Sequence, residues 1–147
     1  MAIPRTFIAA LIIAFPLTLA GQSGHPDVTD ALSQLISFQD KCATRLKAAR
    51  TGDDVAAVLK DLGDGMRDLG ARFAELEKKY PPLFSKDTQI PPDISRLIAD
   101  SGKASRRLSE ITLISLYRYG TEQAVGTELE RLKNTVKALS MPPSRSR

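Results

Sequence analysis

The sequence has few of the side chains from which catalytic and metal sites are commonly built. Its 147 residues include one cysteine, one histidine and no tryptophan. Because Cys42 has no second cysteine to pair with, an intramolecular disulfide, a structural zinc site and covalent c-type haem attachment are excluded. A catalytic triad or a multi-histidine metal site would have to be built from His25 alone. We therefore expect no metal site.

Charged side chains are abundant but balanced. Three of the 21 basic residues (Arg5, Arg145 and Arg147) lie near the termini, which leaves 18 basic and 17 acidic residues between positions 22 and 140. A nearly neutral body gives no basis for nucleic-acid binding. None of the carboxylates lies on a predicted core face, where burial would raise its pKa. The sequence thus predicts no catalytic residues and a protein that is not an enzyme.

Residues 1–21 have the pattern of a secretory signal peptide. Arg5 precedes a nine-residue apolar run from Phe7 to Phe15, and small residues follow Pro16. The run is shorter than the roughly 18 residues that a membrane-spanning helix needs, although an uncleaved N-terminal anchor is the alternative. Residues 19–22 resemble a lipobox with Gln22 in place of the lipidated cysteine. The prediction is a periplasmic or secreted protein without a stable membrane anchor.

A long amphipathic helix is predicted over residues 53–80. Its apolar residues recur at intervals of three and four, which is one face of an α-helix. Asp53 and Asp54 at the start, and Lys78 and Lys79 at the end, complement the helix dipole. Pro81 and Pro82 end the helix. The stripe consists of Val55, Val58, Leu59, Leu62, Met66, Leu69, Phe73, Leu76 and Tyr80.

Three further helices are predicted, and together they define the fold class. They span residues 28–50, with Asp27 as N-cap, then 93–119, followed by Gly120, and 121–139, with Thr121 as N-cap. Short connections join the first two helices and the last two, whereas the loop 81–92 is long. The prediction is an all-α, up-down-up-down antiparallel four-helix bundle over residues 22–140. Residues 141–147 are predicted to be a disordered tail.

Small residues on two of these helices have two interpretations. Gly63 and Gly70 lie beside the apolar face of the second helix, and Ser101 and Ser105 lie on the core-facing side of the third, with Thr112 and Ser115. We expect these faces either to pack tightly or to leave a groove for a flat ligand. Cys42 lies on the inner face of the first helix, as a buried small hydrophobe or, alternatively, a redox-sensitive thiol.

Leu113, Ile114 and Tyr117 fall outside the core stripe of the third helix. Large apolar residues grouped on an exposed face are typical of a contact surface. We name these three residues the α3 patch, after the third predicted helix (α3, residues 93–119), and interpret them as a docking surface for a protein partner, with the oligomeric state left open.

The layout resembles the periplasmic cytochrome b562 family. The segments that carry the resemblance are Lys79-Tyr80-Pro81-Pro82 and Glu130-Arg131-Leu132-Lys133-Asn134-Thr135. The resemblance implies haem held between a methionine early in the first helix and a histidine near the end of the fourth. Here the first helix has no methionine, and the position of the family's histidine falls near Ser140. A swapped pair, His25 and Met141, supplies the remaining haem candidates.

Two functions follow as hypotheses. The first is a non-enzymatic, exported bundle, without a cofactor, that binds a partner or assists the cell envelope. The alternative is a haem-binding electron carrier.

Overall fold

The computed structural model describes residues 25–85 and 89–140, and in these ranges all regular structure is helical. The described helices are α1 (Pro26–Ala48), α2 (Gly52–Lys79), α3 (Pro92–Tyr119) and α4 (Gln123–Ser140), with a short 3₁₀ turn at Pro81–Phe84. The all-α fold class with four α-helices is therefore confirmed. Within this part of the chain, no helix combines the length and apolarity needed to cross a bilayer. The expected signal peptide and disordered tail lie outside the described residues.

The helix starts differ from the prediction at their caps. The N-cap of α1 is His25, not Asp27, because Pro26 at the first helical position has its backbone angle already set for a helix. The hydroxyl of Thr51 accepts a hydrogen bond from the backbone N–H of Asp54 at 3.2 Å, and the Asp54 carboxylate accepts from the N–H of Thr51 at 3.0 Å. This capping box starts α2.

The start of α4 also differs from the prediction. Thr121 was expected to be its N-cap, but Thr121 lies in a turn closed by the Glu122 N–H, which donates to the Tyr119 carbonyl at 3.0 Å. The helix begins only at Gln123. The prediction fails because Gly120, the C-cap of α3, is followed by a complete turn before α4 begins.

The most extensive contacts join α1 to α3 and α2 to α4, with α1 and α2 next. Ion pairs link Arg45 to Asp61 at 2.5 Å and Lys79 to Asp27 at 2.5 Å, so α1 and α2 run antiparallel. The backbones of α3 and α4 lie farther apart, although their connection, like that between α1 and α2, is only three residues long.

Residues later in α1 contact residues later in α3. Gln39 contacts Ser105, and the Tyr119 hydroxyl donates to the Arg50 carbonyl. These helices therefore run parallel. The same holds for α2 and α4, because Gly63 lies beside Leu132 and Gly70 lies beside Leu139.

The interior consists of two hydrophobic clusters. The larger is built from all four helices and holds Cys42, Ala43, Leu46, Val55, Ala56, Val58, Leu59, Leu62, Leu108, Leu116, Val125 and Leu132. The second lies at the other end and has no residue from α4: Val28, Ala31, Leu32, Phe73, Leu76, Leu83 and Ile94. There Leu83, from the 3₁₀ turn, fills space beside α2. The two clusters together bury most of the predicted stripe.

Candidate functional site

The hydroxyl-bearing face of α3 packs against α1, not against α2. The side-chain amide of Gln39 donates a hydrogen bond of 2.7 Å to the Ser105 hydroxyl, and both side chains are buried. The hydroxyls of Thr112 and Ser115 donate to the carbonyls four residues earlier, at 2.7 and 2.9 Å. Two of the hydroxyls thus bond within their own helix, as one of the two interpretations expected.

Gly63 and Gly70 of α2 face α4 instead. A methyl group added at Gly63 would lie 3.7 Å from Leu132 Cδ1 and 3.8 Å from Thr135 Oγ1. One added at Gly70 would lie 2.8 Å from Leu139 Cδ2. The absence of a side chain at Gly70 therefore lets Leu139 of α4 approach closely, whereas Gly63 has room for a methyl group. The prediction that Gly63 and Gly70 share one contact with Ser101 and Ser105, whether packed or forming a groove, is therefore wrong: the two glycines face α4, whereas Ser105 bonds to α1.

The α1–α3 interface retains unsatisfied polar atoms. Gln39 Oε1 and the Ser109 hydroxyl are buried and accept or donate no hydrogen bond among the described residues. Each such atom carries a desolvation cost that a hydrogen bond would offset. This interface is therefore the more polar part of the interior.

The thiol of Cys42 is buried, with 2% of the residue exposed. Burial raises the pKa of this thiol to about 11, so it stays protonated at neutral pH. Because the thiolate is the reactive form, Cys42 fits the interpretation as a small buried hydrophobe and not as a redox-sensitive thiol.

The carboxyl groups with perturbed acidity are held in the ionised form. A hydrogen bond from the Lys79 ammonium, and a weaker contribution from the Tyr80 hydroxyl, hold the pKa of Asp27 below its ordinary value. The backbone N–H of Arg50, with Thr51 adding to it, lowers the pKa of Asp54. Both groups therefore act as structural anchors at the ends of helices. No cluster of three metal-ligating side chains occurs within residues 25–85 and 89–140.

His25 lies at the tip of the molecule that α4 does not reach. Its ring packs edge-on against Tyr80, with centroids 4.6 Å apart, and Tyr80 donates to Asp27 at 3.0 Å. Leu139 is level with Gly70, nine residues before Lys79. At a rise of 1.5 Å per residue, α4 thus ends about 14 Å short of the level of the Lys79–Asp27 pair. Met141 lies outside the described residues, so the His25/Met141 haem pair stays a prediction, without support from the packing of His25.

An open cleft between α2 and α4 is a feature that the sequence did not indicate. Its volume is about 430 Å³, and Lys60 and Glu128 lie on its wall among small side chains. Glu128 Oε2 has no hydrogen-bond partner among the described residues and lies 3.8 Å from the Arg131 guanidinium. No sequence signal marked this cleft, because its lining comes from two helices whose contact the sequence did not predict.

The α3 patch is exposed in the structure. Leu113 is 42% exposed, Ile114 54% and Tyr117 90%, and these are the large hydrophobic side chains that remain exposed in the described part of the chain. All three lie on the side of α3 opposite Thr112 and Ser115. Glu110 precedes the patch by one helical turn and Arg118 follows Ile114 by one turn, and both are exposed.

Comparisons with protein-family models, with curated proteins and with solved structures find no match for this chain. The resemblance to the cytochrome b562 family therefore stays a prediction.

Proposed function

We propose that the protein is an exported, non-enzymatic helical bundle that acts by binding a protein partner through the α3 patch. The observation that carries the proposal is the position of the exposed apolar side chains. In the described residues, all the large ones lie together on a single face of α3. Apolar side chains grouped in this way are more typical of an interaction surface than of an ordinary exterior.

The chemistry of the patch suits a protein partner. Tyr117 offers a rigid ring with a polar hydroxyl, a combination that is enriched where interfaces bind most strongly. The two aliphatic side chains beside it supply area that gains from losing water. Glu110 and Arg118 provide charges of both signs at the rim. The interior is a poorer candidate for a binding site, because the small-residue faces of α2 and α3 are filled by neighbouring side chains.

Export and helix arrangement belong to the same proposal. Arg5, the apolar run and the small residues before Gln22 support cleavage of a signal peptide. The short connections support the up-down-up-down order of the helices. Expression with the full N-terminal segment in a Gram-negative host tests export directly. The protein recovered from the periplasmic fraction should begin at or next to Gln22, and an intact Met1 on membrane-bound protein would refute the export part of the proposal.

Site-specific photo-crosslinking in producing cells tests the binding surface. A benzophenone side chain in place of Tyr117 should give a discrete adduct, identified by mass spectrometry. The same group in place of Ser95, an exposed residue near the start of α3, is the matched control and should give none. Leu113→Ser with Ile114→Ser should abolish the adduct without changing the helical circular dichroism. No adduct from position 117, or the same adducts from both positions, would contradict the proposal.

A further inference from the structure

The charges around the α3 patch are arranged symmetrically about Ile114. Glu110 lies four residues before Ile114 and Arg118 lies four residues after it, so all three share one face of the helix. The side chains of Glu110 and Arg118 are exposed, and neither forms an ion pair with another described residue. By contrast, Lys103 and Arg107, earlier on the same helix, are paired with Asp100 and Asp40. The pattern is therefore negative, apolar, positive along one exposed face.

Such a pattern is complementary to itself when one copy is reversed. In a two-fold symmetric interface, residue i of one copy contacts residue j of the other, and j contacts i. Two α3 helices that cross antiparallel at Ile114 bring Glu110 of each copy opposite Arg118 of the other. The contact thus forms two identical ion pairs on either side of an apolar centre. A parallel arrangement would instead place like charges side by side.

We infer that the partner of the α3 patch is a second copy of this chain, bound by antiparallel pairing of the two α3 helices about Ile114. The inference rests on the proposed function, because it names the partner of the same surface. Leu113 and Ile114 lie nearest the axis, and Tyr117, at 90% exposure, has the most surface to bury. Three apolar side chains per copy form a small interface, so the dimer is weak and depends on concentration.

Charge reversal tests the pairing. Sedimentation equilibrium of the purified protein should show dimers at the highest concentrations. Glu110→Arg places an arginine opposite the partner's Arg118, and the association constant of the dimer should fall about tenfold. Arg118→Glu should have a similar effect. The double variant, Glu110→Arg with Arg118→Glu, restores opposite charges and should return the constant to within about threefold of the wild type. A double variant as weak as the single ones would overturn the antiparallel pairing.

Cross-linking locates the axis. A residue on a two-fold axis faces its own copy, so Ile114→Cys should form a disulfide-linked dimer with copper phenanthroline as oxidant. Ser95→Cys is the control: it lies 19 residues earlier, about 28 Å along the helix. Cys42 is buried and protonated, so the wild type should not cross-link under the same conditions. Equal cross-linking of both variants would overturn the placement of the axis.

The two proposals fail in different ways. A monomer at every concentration, with no preference for Ile114→Cys, overturns self-association and leaves partner binding to the photo-crosslinking result. An adduct from position 117 that contains a different protein supports the proposed function and overturns the second copy as occupant. An adduct with twice the protein's mass supports both. No adduct and no dimer overturns both.

Discussion

The two parallel helix pairs achieve close contact by different means. Between α1 and α3, small side chains meet around a buried hydrogen bond from Gln39 to Ser105. Between α2 and α4, Gly70 leaves room for the Leu139 side chain, whereas a methyl group at Gly63 would still lie at ordinary contact distance from its neighbours. The α1–α3 interface buries polar groups, which cost free energy unless they form hydrogen bonds. The α2–α4 interface contains glycines, whose backbone loses more conformational entropy on folding than that of other residues. The difference predicts opposite responses to added methyl groups.

The largest effect is expected from a leucine at position 105. Ser105→Leu both overfills the α1–α3 contact and removes the acceptor of the Gln39 amide. We expect the free energy of unfolding to fall by about 3 kcal/mol. Urea denaturation measures this, with Ser95→Leu, at an exposed site on α3, as the matched control. A loss as small as that of the control would show that the contact is loose.

A smaller effect is expected from deleting the same hydrogen bond. Ser105→Ala leaves the buried Gln39 amide without its partner and should cost about 1–2 kcal/mol of stability. Gln39→Leu with Ser105→Ala removes both polar groups, along with the unsatisfied Gln39 Oε1, and should return to within about 0.5 kcal/mol of the wild type. A double-mutant cycle in urea measures the coupling. Additive losses would mean that Gln39 and Ser105 contribute independently.

The α2–α4 interface should tolerate a methyl group at one glycine better than at the other. At Gly63 the new carbon meets atoms at ordinary contact distance, so Gly63→Ala should stabilise the protein by about 0.5–1 kcal/mol through its higher helix propensity. At Gly70 the Leu139 methyl must move away, so Gly70→Ala should gain less. Thermal melting of the two variants compares them. A destabilising Gly63→Ala would show that α4 lies closer to α2 than described.

The last effect appears only at alkaline pH and concerns how well the core around Cys42 excludes water. Burial raises the pKa of this thiol from 9.0 to about 11. In this pH range the unfolded chain releases the proton while the folded chain keeps it, so stability should fall as the pH rises from 9 toward 11. Cys42→Ala should remove this part of the pH dependence. Identical curves for variant and wild type would mean that the thiol is solvated.

The periodicity of the sequence is a good guide to which residues are buried and a poor guide to which helices contact each other. Val28, Phe73 and Leu108 lie where the apolar stripes place them, because burial of a stripe depends on the period of its own helix. The sequence pattern predicts that the small-residue faces of α2 and α3 meet, and this is wrong, because each packs on another helix. A stripe shows that a helix has an inner face and does not identify its neighbour.

The periodicity of α3 also identifies its exposed apolar residues. Leu113, Ile114 and Tyr117 depart from the stripe of their helix, so their exposure could be predicted from the sequence, and the structure confirms it. The sequence also contains the flanking charges Glu110 and Arg118, but it does not by itself predict a role for them. Their meaning depends on exposure and on the lack of nearby ion partners, which only the folded arrangement provides.

The interior of the described residues is filled by the chain's own side chains, and the proposed binding surface lies outside it, on the α3 patch. A haemin titration, with absorbance spectra in both oxidation states, distinguishes this arrangement from a haem-binding bundle. We expect no specific Soret shift and unchanged thermal melting. A sharp Soret shift that saturates at one haem per chain, and that His25→Ala or Met141→Ala abolishes, would show that the bundle binds haem and would support the electron carrier instead.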